Sequence, residues 1–313
     1  MKARIGGLIA LLAISAALSA AADPQLLNLV MPDAQVVAGV NVEQAKGSPF
    51  GQYVLSQIQP NDQHLQELVA LTGFDPRRDV RELLVASAGG NNPKSSGLAL
   101  ARGNFDVAKI GAAARTNGAT VDTYSGATLI IDPKKNGAAA FPDSTTVVAG
   151  SLDLVKAALD RRTSTASPIN PALSTKVQQW STSQDAWVVT LISPASLGPG
   201  RAANLPGVAN AETLQKIDQF SGGLKFGSNV ALTAEAQAQT AQDAQGLAGV
   251  VQFLASLAQT HASENPDAAA LLKALTVTVE GQVVKIGLSL PNDQFENLLK
   301  HKPQPGRRRA KQL

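Results

Sequence analysis

The sequence predicts an α+β fold with two related units, each a mainly antiparallel sheet with helices packed on one face. Strand-like and helix-like patterns alternate along the 313 residues. Between Gln282 and Leu290, apolar residues alternate with polar ones, which is typical of an antiparallel strand with one solvated face. Asp33-Ala34 and Asp185-Ala186, each at the start of a strand-like run, lie 152 positions apart. This repeated pattern indicates an internal duplication.

The first unit is organised around residues 82–131. Glu82–Ala88 and Gly97–Arg102 have the composition of strands, and the glycine- and asparagine-rich residues between them predict a turn. A helix follows, for which Asn104 is the expected N-cap because its side chain can accept from an early backbone N–H. Ser125-Gly126 then predicts a two-residue hairpin.

The second unit repeats this order of elements. Gln219–Phe226 and Asn229–Ala236 are predicted strands, and a helix with an apolar stripe from Leu247 to Leu257 comes after them. Glu280-Gly281 predicts a further hairpin. Gly281 lies 155 positions after Gly126, close to the first offset, so the two hairpins are expected to be equivalent.

The N-terminus has the pattern of a secretory signal peptide. Lys2 and Arg4 supply a positive start, Ile5–Leu18 is apolar and uncharged, and the small residues Ala20–Ala22 fit a cleavage site. We expect cleavage after Ala21 or Ala22, with an uncleaved N-terminal anchor as the alternative. No later segment has 18 uncharged apolar residues, so we expect an exported, soluble chain, periplasmic or extracellular, with no transmembrane segment after cleavage.

Composition sets the predicted domain boundaries. They are a signal peptide at 1–22, a first α+β unit at 23–162, a linker at 163–169, a second α+β unit at 170–301 and a disordered basic tail at 302–313. The body from 23 to 299 has a net charge of −5, whereas the last residues are strongly basic.

The tail carries the candidate partner-binding residues of the sequence. Its prolines, glycine and lack of apolar periodicity predict disorder. The residues that could contact an anionic partner weakly are Arg307, Arg308, Arg309 and Lys311. The simpler interpretation, which the sequence favours, is a solvated terminus without a partner. Nucleic acid is excluded as a partner because export separates the chain from it.

Motifs for catalysis and for cofactors are missing from the sequence. There is no cysteine, which excludes disulfides, thiolate metal sites and a lipid anchor at the cleavage site. His64, His261 and His301 are far apart and lack metal-ligand spacing. Gly47–Gly51 resembles a nucleophile elbow only superficially, since Pro49 starts a helix. We therefore predict no catalytic, cofactor-binding or metal-binding residue and no cofactor.

One cluster of carboxylates could be interpreted as paired catalytic acids. Asp75, Asp79 and Glu82 are interleaved with arginines at 77, 78 and 81. Local ion pairs in a solvated turn are the simpler interpretation, and the one we favour.

Several runs carry a resemblance to a known group. These are Pro32–Val37, Gly73–Asp79, Arg102–Asp106 and Ser144–Leu159. They resemble those of a loose group of exported bacterial proteins of unknown function, whose members have a signal peptide and repeated α+β units. The resemblance covers residues 30–162 best and implies no catalytic residue.

These observations favour a non-catalytic cell-envelope protein that binds or scaffolds a partner. The alternative is an extracytoplasmic hydrolase whose active site is assembled from scattered Ser, Asp and His residues. Dependence of turnover on a histidine would discriminate between the two.

Overall fold

One antiparallel sheet of twelve strands is the frame of the molecule. The computed structural model describes residues 21–57, 63–89, 97–134, 136–162, 169–197, 215–260 and 271–300. The strands are β1 (Val36–Asn41), β2 (Val80–Ser87), β3 (Gly97–Gly103), β4 (Thr120–Tyr124), β5 (Ala127–Asp132), β6 (Gly137–Asp143), β7 (Thr146–Ser151), β8 (Ala186–Thr190), β9 (Ile217–Phe226), β10 (Asn229–Ala238), β11 (Leu275–Glu280) and β12 (Val283–Pro291). Their order across the sheet is β11-β12-β10-β9-β8-β1-β2-β3-β7-β6-β5-β4.

Helices connect the strands and cover parts of both sheet faces. They are α1 (Pro24–Leu27), α2 (Val42–Lys46), α3 (Pro49–Ser56), α4 (Gln63–Thr72), α5 (Pro76–Asp79), α6 (Val107–Thr116), α7 (Leu152–Arg161), α8 (Pro171–Ser183), α9 (Ala241–Thr260) and α10 (Asn292–Lys300), with a short 3-10 helix at Pro194–Leu197. Several start as the sequence predicts. Pro49 follows the N-cap Ser48, whose Oγ accepts from the Gly51 N–H at 3.0 Å.

The largest core lies on the sheet face to which Val37, Leu84 and Leu100 belong, which we call face A. Helices α1, α7 and α8 cover it. Their buried side chains are Leu26, Val155, Leu159, Leu173, Val177 and Trp180. This core includes residues from both sides of the predicted linker, whose positions 163–168 lie outside the described residues.

The opposite face, face B, is the face of Leu83 and Val85, and it has its own apolar clusters. Helix α9 packs there on β10, β11 and β12. Helices α2 and α3 meet α10 around Phe50, whose ring centroid is 4.9 Å from that of Phe295 and 5.5 Å from that of Phe226. Helix α6 packs over β4 and β5. The α+β class and the antiparallel pairing are confirmed, but helices lie on both faces because both faces carry apolar strips.

Close to the middle of the sheet, β1 pairs with β8. Val37 is opposite Val189, and Gly39 is opposite Trp187. Strand β1 also pairs with β2 on its other side, so the hydrogen-bonded ladder runs without a break through the centre.

Two local predictions differ from the structure by one or two residues. The N-cap of α6 is Asp106, which accepts from the Lys109 N–H at 3.1 Å, while Asn104 accepts from Arg81 instead. The second hairpin turns at residues 281–282, because Glu280 already pairs with Val283. Asn104 and Asp106 lie two positions apart and both suit an N-cap, and in the hairpin the pairing of Glu280 with Val283 moves the turn by one residue.

Candidate functional site

The candidate contacts of the basic tail cannot be placed. Arg307, Arg308, Arg309 and Lys311 lie outside the described residues, as do His261, His301 and the side chain of His64. Within the described ranges, no group of three acidic or histidine side chains could hold a metal ion. None of the helices described is long and apolar enough to cross a membrane.

The elbow-like serine has a structural role. Ser48 is 5% exposed, and its hydroxyl donates to the Ala45 carbonyl at 2.9 Å while accepting from Gly51. Both interactions fix the junction of α2 and α3 and leave the oxygen inside a helix cap. This agrees with the interpretation of Pro49 as a helix start.

The structure separates Glu82 from Asp75 and Asp79, which stay together in the turn that forms α5. Asp75 Oδ2 is 2.8 Å from Arg77, and Asp79 Oδ1 is 2.7 Å from Arg78. These hydrogen bonds from Arg77 and Arg78 hold the pKa values of Asp75 and Asp79 below their usual range. Asp75 and Asp79 are therefore each ion-paired with an arginine, and Glu82 lines a separate cleft.

The cleft that Glu82 lines has a volume of about 670 Å³ and lies at the ends of β1, β2 and β3, next to the loops. Its charged lining residues are Asp23, Glu43, Arg81, Glu82 and Arg102. We call it the Glu82 cleft. No local pattern in the sequence indicates this cleft, since Asp23 is 59 positions from Glu82 and the contact arises only when α1 folds against β3.

Arg102 is the most heavily bonded residue of the Glu82 cleft. Its Nε is 2.5 Å from Asp23 Oδ2, and its other nitrogens donate to Gln25, Thr145 and Thr146. The guanidinium therefore ties α1 to the ends of β3 and β7. An arginine held by four partners has few donors left for a ligand.

Glu82 has a weaker set of partners. Its Oε1 accepts from the backbone N–H of Asp23 at 3.1 Å. Burial raises the pKa of Glu82, and the hydrogen bond from Asp23 opposes this only in part. The Asp23 carboxylate raises it further, while Arg102 lowers it. Among the described residues, Glu82 accepts from a neutral backbone N–H and has no direct ion pair, although it is half-buried.

A smaller cleft, of about 380 Å³, lies between the end of α4 and the start of α6. Arg78, Asp79, Asp106 and Lys109 line it. These four form two ion pairs, Arg78 with Asp79 and Lys109 with Asp106 at 3.1 Å. The charged side chains of this cleft are thus paired with each other.

An exposed apolar strip lies on face B beside the Glu82 cleft. Leu83 is 38% exposed and Val85 46% exposed, and Ala99 on the neighbouring strand is also exposed. We call these three residues the β2 strip. Sheet faces that meet water usually carry polar residues there. Contiguous exposed apolar side chains are typical of interaction surfaces.

Comparison with known proteins identifies the fold. No protein-family model and no curated protein matches the chain. Three crystal forms of one protein, TP0453, do match it in structure. The fold resembles that of TP0453. Form III has a TM-score of 0.56 at 10% identity, over 88% of this chain and 98% of that one.

The other two TP0453 structures give the same result. Form IV has a TM-score of 0.53 at 13% identity, over 91% of this chain and 99% of that one. Form I has a TM-score of 0.50 at 11% identity, over 89% and 97%. At such identities the likeness to TP0453 concerns the fold alone.

Proposed function

We propose that this chain is an exported, non-catalytic protein of the cell envelope that binds or scaffolds a protein partner. The observation that carries the proposal is the β2 strip, an exposed apolar surface in the middle of a sheet whose buried apolar clusters lie against helices in the described part of the chain. Exposed apolar area near the centre of a large sheet is costly in water and is relieved when a partner covers it.

The charges of both clefts support a non-catalytic role. Arg102 is bound by Asp23, Gln25 and two threonines, and the ion pairs of the smaller cleft are closed locally. A reaction centre needs a nucleophile within hydrogen-bond reach of a base, with a third group that orients the base. The side chains lining the two clefts are arranged as structural links instead.

Arg81 defines the chemistry of the partner. It lies on the same strand as Leu83 and Val85, two residues before Leu83, and like them it is exposed. Its side chain is exposed and donates to Asn104 at 2.7 Å, which leaves further N–H donors for an incoming carboxylate. The partner is therefore a protein segment with apolar side chains for the strip and an acidic residue opposite Arg81.

Site-specific crosslinking in cells tests this proposal. A photo-crosslinking amino acid at position 85 of the full chain should capture one envelope protein, whereas the same group at position 278, exposed on face A, should not. The captured protein is then purified, and its affinity for the wild-type chain is measured.

Substitutions decide whether the contact is specific. The double variant Leu83→Ser, Val85→Ser should weaken binding at least tenfold, and Arg81→Glu should weaken it through charge reversal. Thr278→Ser is the matched control and should bind as the wild type does. Equal affinity for all variants would overturn the proposal, as would histidine-dependent hydrolysis of an ester, peptide or glycan.

We also infer that the chain consists of two related units. Val37 pairs with Val189, 152 positions later, which is the offset that separates Asp33-Ala34 from Asp185-Ala186. A twofold axis exchanges equivalent residues, so it passes between two equivalent residues that pair with each other. The pairing of Val37 with Val189 supports such an axis between β1 and β8.

Strand connectivity supports the same relation. In each half the third strand, β3 or β10, is followed by a helix and then pairs with the last strand, β7 or β12, before a terminal helix. By this connectivity the β11–β12 hairpin is equivalent to the β6–β7 hairpin. The predicted equivalence with the Gly126 hairpin is not supported. The β4–β5 hairpin is then an addition to the first half. In a crystal structure, a rotation far from 180° between β1–β3 and β8–β10 would count against duplication.

A further inference from the structure

Asp23 takes part in the Glu82 cleft through both its backbone and its side chain. Its backbone nitrogen is 3.1 Å from Glu82 Oε1. Its carboxylate pairs with Arg102 and also accepts from the Gln25 N–H at 2.7 Å, which caps α1. The backbone nitrogen of one residue thus lies against a half-buried carboxylate that has no other close hydrogen-bond donor among the described residues.

In the uncleaved chain, the negative charges of Asp23 and Glu82 outnumber the positive charge of Arg102. Asp23 and Glu82 supply two carboxylates, and Arg102 supplies one guanidinium that is bound to Asp23. Arg81 and Glu43 line the same cleft, and Arg81 donates to Asn104. One more positive charge at the Asp23 nitrogen would give two anions and two cations in direct contact.

The sequence places a cleavage signal directly before this nitrogen. Cleavage after Ala21 or after Ala22 satisfies the requirement for small residues. Only the second converts the backbone nitrogen of Asp23 from a neutral amide to an α-ammonium.

We propose that the leader is cut between Ala22 and Asp23, and that the new α-ammonium of Asp23 forms an ion pair with Glu82 and completes the folded structure. This rests on the export assigned to the chain under Proposed function. Water adds across the Ala22–Asp23 peptide bond: its hydroxyl goes to the Ala22 carbonyl and its hydrogen to the Asp23 nitrogen. That amine then takes a proton from solvent.

The alternative cut after Ala21 would retain Ala22, which is 5% exposed and packs against the face A core. It would preserve one buried methyl group, but the Asp23 nitrogen would stay a neutral amide. The new ammonium would then belong to Ala22. The ion pair with Glu82 at a contact that the fold already makes favours the cut after Ala22.

Two measurements test the proposal. The mass of the exported chain should correspond to a first residue of Asp23. In a chain prepared to begin at Asp23, the pKa of the α-amine, followed by NMR, should lie about one unit or more above the usual 7.7–8.0, because Glu82 stabilises the charged form.

Two matched variants test whether Glu82 causes the raised pKa of the α-amine. Glu82→Gln should return the pKa of the α-amine to its usual range, whereas Glu43→Gln removes a carboxylate of the same cleft and should leave it raised. Acetylation of the wild-type N-terminus removes the ammonium without a substitution, and the Glu82 pKa should then rise.

Each part of the proposal can fail separately. A first residue of Ala22 would overturn the cleavage site. An α-amine pKa that is the same in the wild type and in Glu82→Gln would overturn the ion pair. An intact leader on cytoplasmic protein would overturn export and the cleavage together, while the NMR titration of the chain starting at Asp23 would still report on the ion pair.

Discussion

Asp79 is a single carboxylate that both closes a helix and forms an ion pair. Its Oδ2 accepts from the Asp75 N–H at 2.8 Å, and Arg78 donates to both of its oxygens at 2.7 Å. Asp75 in turn caps α5 by accepting from the Arg77 N–H at 2.9 Å. Bonds to the ionised carboxylates lower both pKa values, so the folded state favours the charged forms.

This arrangement predicts a pH-dependent effect of Asp79→Asn. Since the folded-state pKa lies below the ordinary value near 3.8, the stabilisation is complete above that pH and is lost as pH falls through the lowered value. Asp79→Asn should lower the free energy of unfolding by about 1 kcal/mol at pH 7. The difference from the wild type should shrink below pH ~4, as measured by denaturant titration at several pH values.

The control for this prediction is Asp218→Asn, which alters an exposed carboxylate at the start of β9. It should leave the free energy of unfolding nearly unchanged at pH 7. A wild-type minus Asp79→Asn difference that stays constant from pH 7 to pH 2 would contradict the role assigned to the ionised carboxylate.

Glycine suits a turn that needs positive φ, but it is unfavourable inside a helix. Ser125 and Gly126 both have positive φ, 47° and 76°, which is the two-residue turn that suits twisted antiparallel strands. Gly281 has φ 60° with open space around it. Gly249 also has open space, but it lies inside α9, where glycine is a poor helix former.

Alanine substitutions should therefore act in opposite directions at these two sites. Gly281→Ala should destabilise the fold by about 1–2 kcal/mol, because an L side chain resists positive φ. Gly249→Ala should stabilise it by about 0.5–1 kcal/mol. Thermal unfolding followed by circular dichroism measures both, and the same sign of change for the two variants would refute this explanation.

At the scale of the whole molecule, the pairing of β1 with β8 joins the strands β1–β7 to the strands β8–β12 in one sheet. Gly39 allows it: a Cβ there would lie 2.5 Å from Trp187 Cζ2 and 2.7 Å from Leu84 Cδ2. Trp187 crosses β1 at this point and is 7% exposed. The absence of a side chain on β1 is therefore what lets the indole join the face A core.

Gly39→Ala should disturb this central junction. We expect a loss of about 1–3 kcal/mol in the free energy of unfolding, because rigid neighbours cannot move aside easily, together with a shift in tryptophan emission. Gly137→Ala is the control: it lies on β6 with nothing within 4 Å of the new methyl group. If both variants had equal unfolding midpoints and equal emission spectra, the junction would not depend on Gly39.

The α+β class, the antiparallel hairpins and most helix starts could be predicted from the amino-acid sequence. Those features depend on residues close together in the chain, such as Ser125-Gly126 in a turn or Ser48 before Pro49. Of the candidate sites, the sequence singled out Glu82, as part of a charged turn, and Leu83 and Val85 only as part of a strand.

How the hairpins join into one sheet, and which sheet faces are covered, became visible only in the tertiary structure. Periodicity marks a strand but not its neighbour, so neither the β1–β8 pairing nor the exposure of the β2 strip could be predicted from it. The contact between Asp23 and Glu82 joins residues 59 positions apart. Such contacts form only when distant elements pack together, and for this reason the Glu82 cleft belongs to the fold and not to any local motif.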